Sequence, residues 1–299
     1  MRIDCHFHPN FSFFSRFLMK SKAKKIFKQF TKHKLDAVIV TEHVFKKPYQ
    51  SFKRLKQLQP KDSKTMLIPG VEAVTKEGID VIVFSATEYI YEKKEIMTTW
   101  CLSIKDLLQQ VAKDKNLHAI IPHPFLPNQQ GLFKAIGYKE AKNILKEIKL
   151  FEKHNDCFTP LIDFLHSTKI EKLMPSLKAK LKKVHTSPNL KGINALFTGG
   201  SDAHHPWNIG SHLQLNCTKP HSVSNAIDKL LSVKDRQMHF VKTKVPHTVD
   251  LVINGITALS ELCILKFKKS HIDLKTSYHE QCKNLHQGRR EFSQIKSQV

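Results

Sequence analysis

The chain has 299 residues, 40% of them hydrophobic, enough to bury a full core in one or two domains. Lys and Arg number 49 against 26 Asp and Glu, a formal net charge of +23. Such an excess favours phosphate-rich partners and equally keeps a lysine-rich chain solvated, so charge alone names no substrate.

Residues 1–6 read as a first strand, with no basic-then-apolar leader before it, so a cleaved signal is not expected. A lysine-rich helix follows at 20–33, with Ile26, Phe27 and Phe30 at helical spacing, then a buried strand at 35–41 and a helix at 49–58. Strands are expected at 66–74 and 80–85, punctuated by Pro69-Gly70 and Glu77-Gly78. Ser103 caps a helix running to Lys115, with Asp106 completing a capping box. A strand at 118–121, a helix at 139–146, a strand at 148–152, a basic helix at 170–184 and a strand at 195–198 come next. After these we expect a strand at 213–217, a helix at 223–231 and a strand at 238–242.

Alternating strands and helices imply an α/β chain built on a parallel sheet that closes into a barrel. Its divisions are read as 1–219 for the barrel, 220–265 packing on it, and 266–299 as a basic, partly ordered tail containing Arg289-Arg290. The apolar stretch 249–267 carries Asp250, Asn254 and Glu261, which fits an amphipathic packing helix better than a membrane span. Cys5, Cys101, Cys157, Cys217, Cys263 and Cys282 form no Cys-x-x-Cys pair. That argues against a thiolate zinc site and a disulfide framework, and for a reducing, cytoplasmic setting.

Polar residues repeatedly arrive where an apolar run stops. His6 and His8 end the first strand on one face, Thr41-Glu42-His43 ends the second and Gly70-Val71-Glu72 the third. Pro122-His123-Pro124 follows the strand at 118–121, and Gly200-Ser201-Asp202-Ala203-His204 follows the last barrel strand. In a parallel α/β fold these ends share one mouth. Imidazole nitrogens and carboxylate oxygens gathered there are ligands for zinc, iron or manganese, and two such ions can activate water for phosphoryl displacement. Asp4, on the same face as the histidines, reads as an orienting residue. His205 and His118 read as surface and structural residues, and Trp207 either stacks on a base or closes its loop.

Ile3-Asp4-Cys5-His6-Phe7-His8, Thr41-Glu42-His43, Pro69-Gly70-Val71-Glu72, Pro122-His123-Pro124 and Gly200-Ser201-Asp202-Ala203-His204, in this order, resemble the motifs of the PHP (polymerase and histidinol phosphatase) superfamily. The resemblance spans residue 1 to about Gly210. It implies a distorted (β/α)7 TIM-like barrel with a helical, basic C-terminal extension. It also implies hydrolysis of phosphate esters by a metal-bound hydroxide. By position, His6, His8, Glu72 and Asp202 would hold one ion, Glu72 bridging to a second held with His123. His43 and His204 would face a third ion and are the candidate proton donors; Glu152 with Asn155 matches a Glu-then-Asn pattern. Two positions depart from the pattern. Phe13 stands where an aspartate usually follows Ser12, although Glu42 offers a compensating carboxylate, and Asp80 replaces the histidine that usually opens the next strand. The expectation is therefore two divalent ions, with a phosphate ester or nucleic acid as partner and no membrane. Arg16 and His212 are the candidate substrate-binding residues. The rival reading is a non-catalytic nucleic-acid-binding module carried by the basic surface.

Overall fold

The computed structural model describes residues 1–11, 16–126, 130–155, 196–234 and 237–242, together with 256–257, 260, 263–267 and 269–270. Ser12, Phe13, the expected basic helix at 170–184 and most of the 266–299 tail lie outside the described residues.

Strand β1 (Arg2–Phe7) leads into helix α1 (Arg16–Lys32), and β2 (Ala37–Val40) into α2 (Pro48–Gln57). Strand β3 (Met66–Val74) turns straight into β4 (Asp80–Phe84), which is followed by α3 (Ile104–Lys113) and β5 (His118–Ile121). Helices α4 (Leu132–Ile136) and α5 (Tyr138–Glu147) precede β6 (Leu150–Asn155), and β7 (Leu196–Gly200) precedes β8 (His212–Leu215), α6 (Val223–Ser232) and β9 (Met238–Val241). The expected cap forms: Ser103 Oγ accepts from the Asp106 N–H at 3.2 Å. Pro48 opens α2, where its missing N–H has no partner to lose. Helix α4 was not expected, because five residues between Gly131 and Gly137 are too few for a period to register.

The strands form one sheet in the order β7-β6-β5-β4-β3-β2-β1-β8-β9. The parallel sheet expected from the sequence is corrected to a mixed one. β1, β2 and β3 pair in parallel, as do β5, β6 and β7, whereas β4 is antiparallel to both β3 and β5. The reason is local. Between β3 and β4 the chain reverses around Gly78 at φ 86°, with the Gly78 N–H donating to Thr75 O at 2.9 Å. So short a link permits a hairpin and no crossover helix.

The chain leaving β7 lies along the His6–His8 end of β1, beyond the Arg2–Ile3 pairs with β8. The Asp202 N–H donates to His6 O at 2.7 Å and the His8 N–H to Ala203 O at 3.1 Å, so the sheet bends into a nearly closed barrel. A Cβ placed on Gly200 would lie 2.5 Å from His6 Cβ and 2.6 Å from His6 N. Gly200→Ala is therefore expected to part β1 from β7 and to destabilise the fold by roughly 1–3 kcal/mol. A urea unfolding midpoint equal to that of the parent protein would contradict this closure.

Two apolar clusters cover the two faces of the sheet. Phe27 and Phe30 of α1 and Phe52 and Leu55 of α2 pack with Val38 and Val40 on the outer face. The other face gathers Ile39, Ile68, Ile82, Phe84 and Leu150, with Ile227 and Leu230 of α6. Strand period then decides what comes next on that inner face. Glu72 is in phase with Ile68 on β3, Glu152 with Leu150 on β6, and Asp80 with Ile82 and Phe84 on the reversed β4. Apolar side chains fill the base of the barrel, and the residues in phase with them bring donors to its mouth.

Met1–His247 form one compact unit and Thr248–Val299 a second. Described residues of the second unit are helical, with Ile256 and Phe267 exposed. No helix among the described residues is long and apolar enough to cross a membrane. Cys5, Cys101, Cys217 and Cys263 carry free thiols.

Candidate metal centre

Eight residues singled out in the sequence meet at the mouth of the barrel: His6, His8, His43, Glu72, Asp80, His123, Asp202 and His204, each buried. Their ligand atoms form three overlapping groups, His6–His8–Asp202, His6–Glu72–His123 and His8–His43–His204, with all atoms of a group within 4.8 Å of one another. In the first, His6 Nε2 and His8 Nε2 are 2.9 Å apart, and Asp202 Oδ1 is 3.3 and 3.2 Å from them. Glu72 links the groups. Its Oε1 is 3.6 Å from His6 Nε2 and 3.2 Å from His123 Nε2, and its Oε2 is 3.3 Å from His8 Nε2 and 2.9 Å from His43 Nδ1. Asp80 stands one layer further out: it pairs with Val74, whereas Glu72 pairs with Ile82, and its Oδ2 is 4.0 Å from His123 Nε2.

Other buried groups fix these donors. Glu152 accepts from the His123 N–H at 2.9 Å and from Asn155 Nδ2 at 3.0 Å, and lies 3.3 Å from His6 Nδ1. The carboxylate thus sets the direction of the His6 ring from its far nitrogen. Asn155 Nδ2 also donates to Asp202 Oδ2 at 2.9 Å. Asp4 accepts from the Ser201 hydroxyl at 2.6 Å, the Ser201 N–H at 2.9 Å and the His6 N–H at 3.1 Å, so it clasps the β7 exit to the His6 backbone. Asp202 (φ 47°), His123 (φ 27°) and Asn10 (φ 51°) occupy the left-handed region, a strain that surrounding bonds must hold.

The charges of so many buried groups press on one another. Burial pulls His6 down, but Asp202, Glu152 and Glu72 carry it well above the ordinary imidazole range. Burial, with His204 and His43 close by, pulls His8 down. Burial and Glu72 raise Asp80 to about 8. Burial would raise Glu42, yet His8, Lys46 and His43 hold it at about 2.

Divalent ions suit this donor set. Bonds of about 2.0–2.2 Å to one ion leave neighbouring donors roughly 3.0–3.5 Å apart, and the His6, His8 and Asp202 atoms stand at 2.9, 3.2 and 3.3 Å. Asp80 Oδ1 is buried and makes no hydrogen bond. Buried carboxylates in such number need compensating cations.

Beyond the site itself, the fold is comparable with solved structures. The chain shares its fold with PsfC. The crystal structure of PsfC from Pseudomonas syringae PB-5123 matches at a TM-score of 0.55 and 16% identity, over 87% of this chain and 98% of that one. Endonuclease Q from Pyrococcus furiosus matches at a TM-score of 0.46 and 16% identity. Endonuclease Q in complex with a 27-mer duplex containing an abasic lesion matches at 0.48 and 15%. Both cover 78% of this chain, which spans 57% of theirs, and at those scores neither carries an argument about chemistry. No family model and no curated protein matches the chain. The ordered motifs nevertheless resemble those of the PHP superfamily, and on the PsfC-like fold they meet at one end of one barrel.

One expected substrate residue, His212, does not join the cluster. His212, at the start of β8, bonds Gly210 O through Nδ1 at 2.6 Å and has Arg2 and Asp36 as its charged neighbours. Nearness in sequence to the Asp202 motif does not bring it there, because Leu213 and Leu215 of β8 join the inner cluster and His212, out of phase with them, faces the other side of the sheet. The side chain of Arg16 lies outside the described residues. Sequence reasoning also missed two buried lysines. Lys22 Nζ donates to Asn10 O at 3.2 Å and His204 O at 3.1 Å, and Lys46 Nζ to Asn10 Oδ1 at 3.3 Å. The signal was present: Lys22, Ile26 and Phe30 share one helical face, so a cation stood in the apolar stripe of α1.

Proposed function

We propose that the chain is a metal-dependent phosphoesterase of the PHP type with a binuclear centre. The observation that carries the reading is Glu72, one carboxylate within 3.6 Å of the ring nitrogens of His6, His8, His43 and His123. His6, His8 and Asp202 would hold one ion, Glu72 would bridge, and His123 with Asp80 or Glu152 would hold the other. Bound manganese, zinc or iron would supply Lewis-acid stabilisation of phosphoryl oxygens and an activated water. His43 and His204 remain as imidazoles able to hand a proton to the leaving alkoxide, and Lys22 fixes the His204 backbone from behind. Arg16 stays our candidate for substrate phosphate, and His212 is the weaker one on its neighbours. The distorted (β/α)7 count and the divisions at 219/220 and 265/266 belong to the same proposal.

The test is manganese-stimulated release of phosphate from nucleotides, read beside metal content. His8→Ala and Asp202→Ala are expected to lose about 100-fold or more in metal affinity and activity, the upper range for even the outer partners of metal ligands. Activity that survives both substitutions sinks the assignment. Three tightly held ions per chain would contradict a binuclear site.

A further inference from the structure

Helix α1 carries Arg16, Lys20, Lys22, Lys24, Lys25, Lys28 and Lys32 and no acidic residue. Lys20, Lys24, Lys25, Lys28 and Lys32 are exposed, and no carboxylate among the described residues pairs with them. Lys20, Lys24, Lys28 and Lys32 recur every fourth residue, so they form one stripe that descends the barrel wall in steps of about 6 Å. Helix α2, which touches α1 where Arg54 Nη1 meets Met19 Sδ at 3.6 Å, adds exposed Lys53 and Arg54 and again no acid. A lysine stripe alone is commonly a wet face.

The second observation lies where the stripe reaches the mouth. Phe17 is 79% exposed, Trp207 48% and Tyr49 40%. Each follows the carboxyl end of a different strand: Phe17 after β1, Tyr49 after β2, Trp207 after β7. The Trp207 ring is stacked on His205 at 4.5 Å with 4° between planes, three residues past His204, and its short 3-10 turn, Pro206–Asn208, touches α1. Lys53 Nζ sits over the Tyr49 ring at 5.7 Å. Solvent-facing aromatics after strand ends that meet at the mouth, with cations leading away from it, fit a ligand that offers flat rings and regularly spaced negative charges together. A lipid surface offers no rings, and a duplex hides them.

From this juxtaposition we infer that the α1–α2 face and the Trp207 turn bind single-stranded nucleic acid, bases stacking at the mouth and phosphates following the lysine stripe. The inference deepens the proposed function by naming an oligonucleotide strand as the substrate class. Binding is measured without metal and without turnover, so its failure and that of the hydrolase reading are distinguishable.

The experiment is fluorescence anisotropy of labelled 12-mer oligothymidylate and oligouridylate with the full chain in EDTA, across a salt series. Binding is expected with log K falling linearly against log salt. The triple variant Lys20→Glu, Lys24→Glu, Lys28→Glu, all exposed positions, is expected to weaken binding by about tenfold or more and to flatten the slope by roughly 2, at about 0.7 per phosphate contact. Trp207→Ala is expected to cost about tenfold, and Trp207→Phe to recover most of it, because a stacking role needs a ring and a loop-filling role does not. A matched reversal on α5 and the residue before β6, Lys139→Glu, Lys146→Glu, Lys149→Glu, should change binding little. The inference is overturned if the matched reversal weakens binding as much as the α1 triple, if anionic vesicles bind and oligonucleotides do not, or if no oligonucleotide binds.

Discussion

Glu72→Gln is expected to lose manganese affinity by about 100-fold or more and to remove phosphate release with it. The substitution keeps volume and shape at a position 1% exposed, so packing around Ile68 and Ile82 is preserved. What it removes is charge. Glu72 is held well below the ordinary carboxylate range: burial opposes ionisation, and His43 and His6 outweigh it. The amide would face His43 Nδ1 and His8 Nε2 with donors where an anion stood. Asp80→Asn should be milder, because Asp80 lies in the outer layer, at 4.0 Å from His123 alone among the five imidazoles, and Gln130 Nε2 already donates to it at 2.9 Å. Titration calorimetry with manganese on the two variants separates the roles. Equal losses would contradict a bridging Glu72, and an unchanged Glu72→Gln affinity would refute the shared-ligand reading outright.

The legible part of this site was its order along the chain. A donor such as Glu72 or Glu152 ends an apolar run in strand phase, so period and position both point to a mouth. What the sequence hid depended on chain direction. Asp80 opens its strand instead of closing it, and reaches the mouth only because β4 is reversed by the hairpin at Gly78. His212 shows the weight of strand phase: it opens β8 beside a motif, yet Leu213 and Leu215 are the residues of that strand that join the inner cluster. Backbone conformation was equally silent. Nothing in the residue types announces that Asp202, His123 and Asn10 are left-handed, a state imposed by tertiary bonds such as Asp202 N–H to His6 O. Lys22 and Lys46 were hidden by abundance. Among so many lysines, a buried one is told apart only by helical phase, or by lying three residues beyond a strand-end histidine.

Metal removal should reveal the charge balance as a pH dependence of stability. Burial raises Asp4 to about 7 and, with Glu72, Asp80 to about 8, from 3.8 in the unfolded chain. The folded form therefore keeps protons that the unfolded chain releases. This contribution is complete below about 4 and is lost as pH rises through 7 to 8. His6 and His123, raised by neighbouring carboxylates against the pull of burial, act in the same direction above 6.5. Glu42, at about 2, acts oppositely, contributing above its ordinary 4.5 and losing that contribution only in strong acid. Protein stripped with EDTA should thus melt at progressively lower temperature from pH 6 to 9. Cations bind the deprotonated forms of Asp80 and His123, so they compete with protons below pH 8 and release them on binding. At pH 8, manganese at 100 times its Kd adds about 2.7 kcal/mol, or roughly 5–10 °C in melting temperature for a domain of this size. At pH 6 the same concentration should give a smaller rise. Differential scanning calorimetry at both pH values checks this, and an equal rise at pH 6 and 8 would mean that no ionisable group at the mouth changes its proton on binding, which a centre built from these carboxylates and imidazoles cannot accommodate.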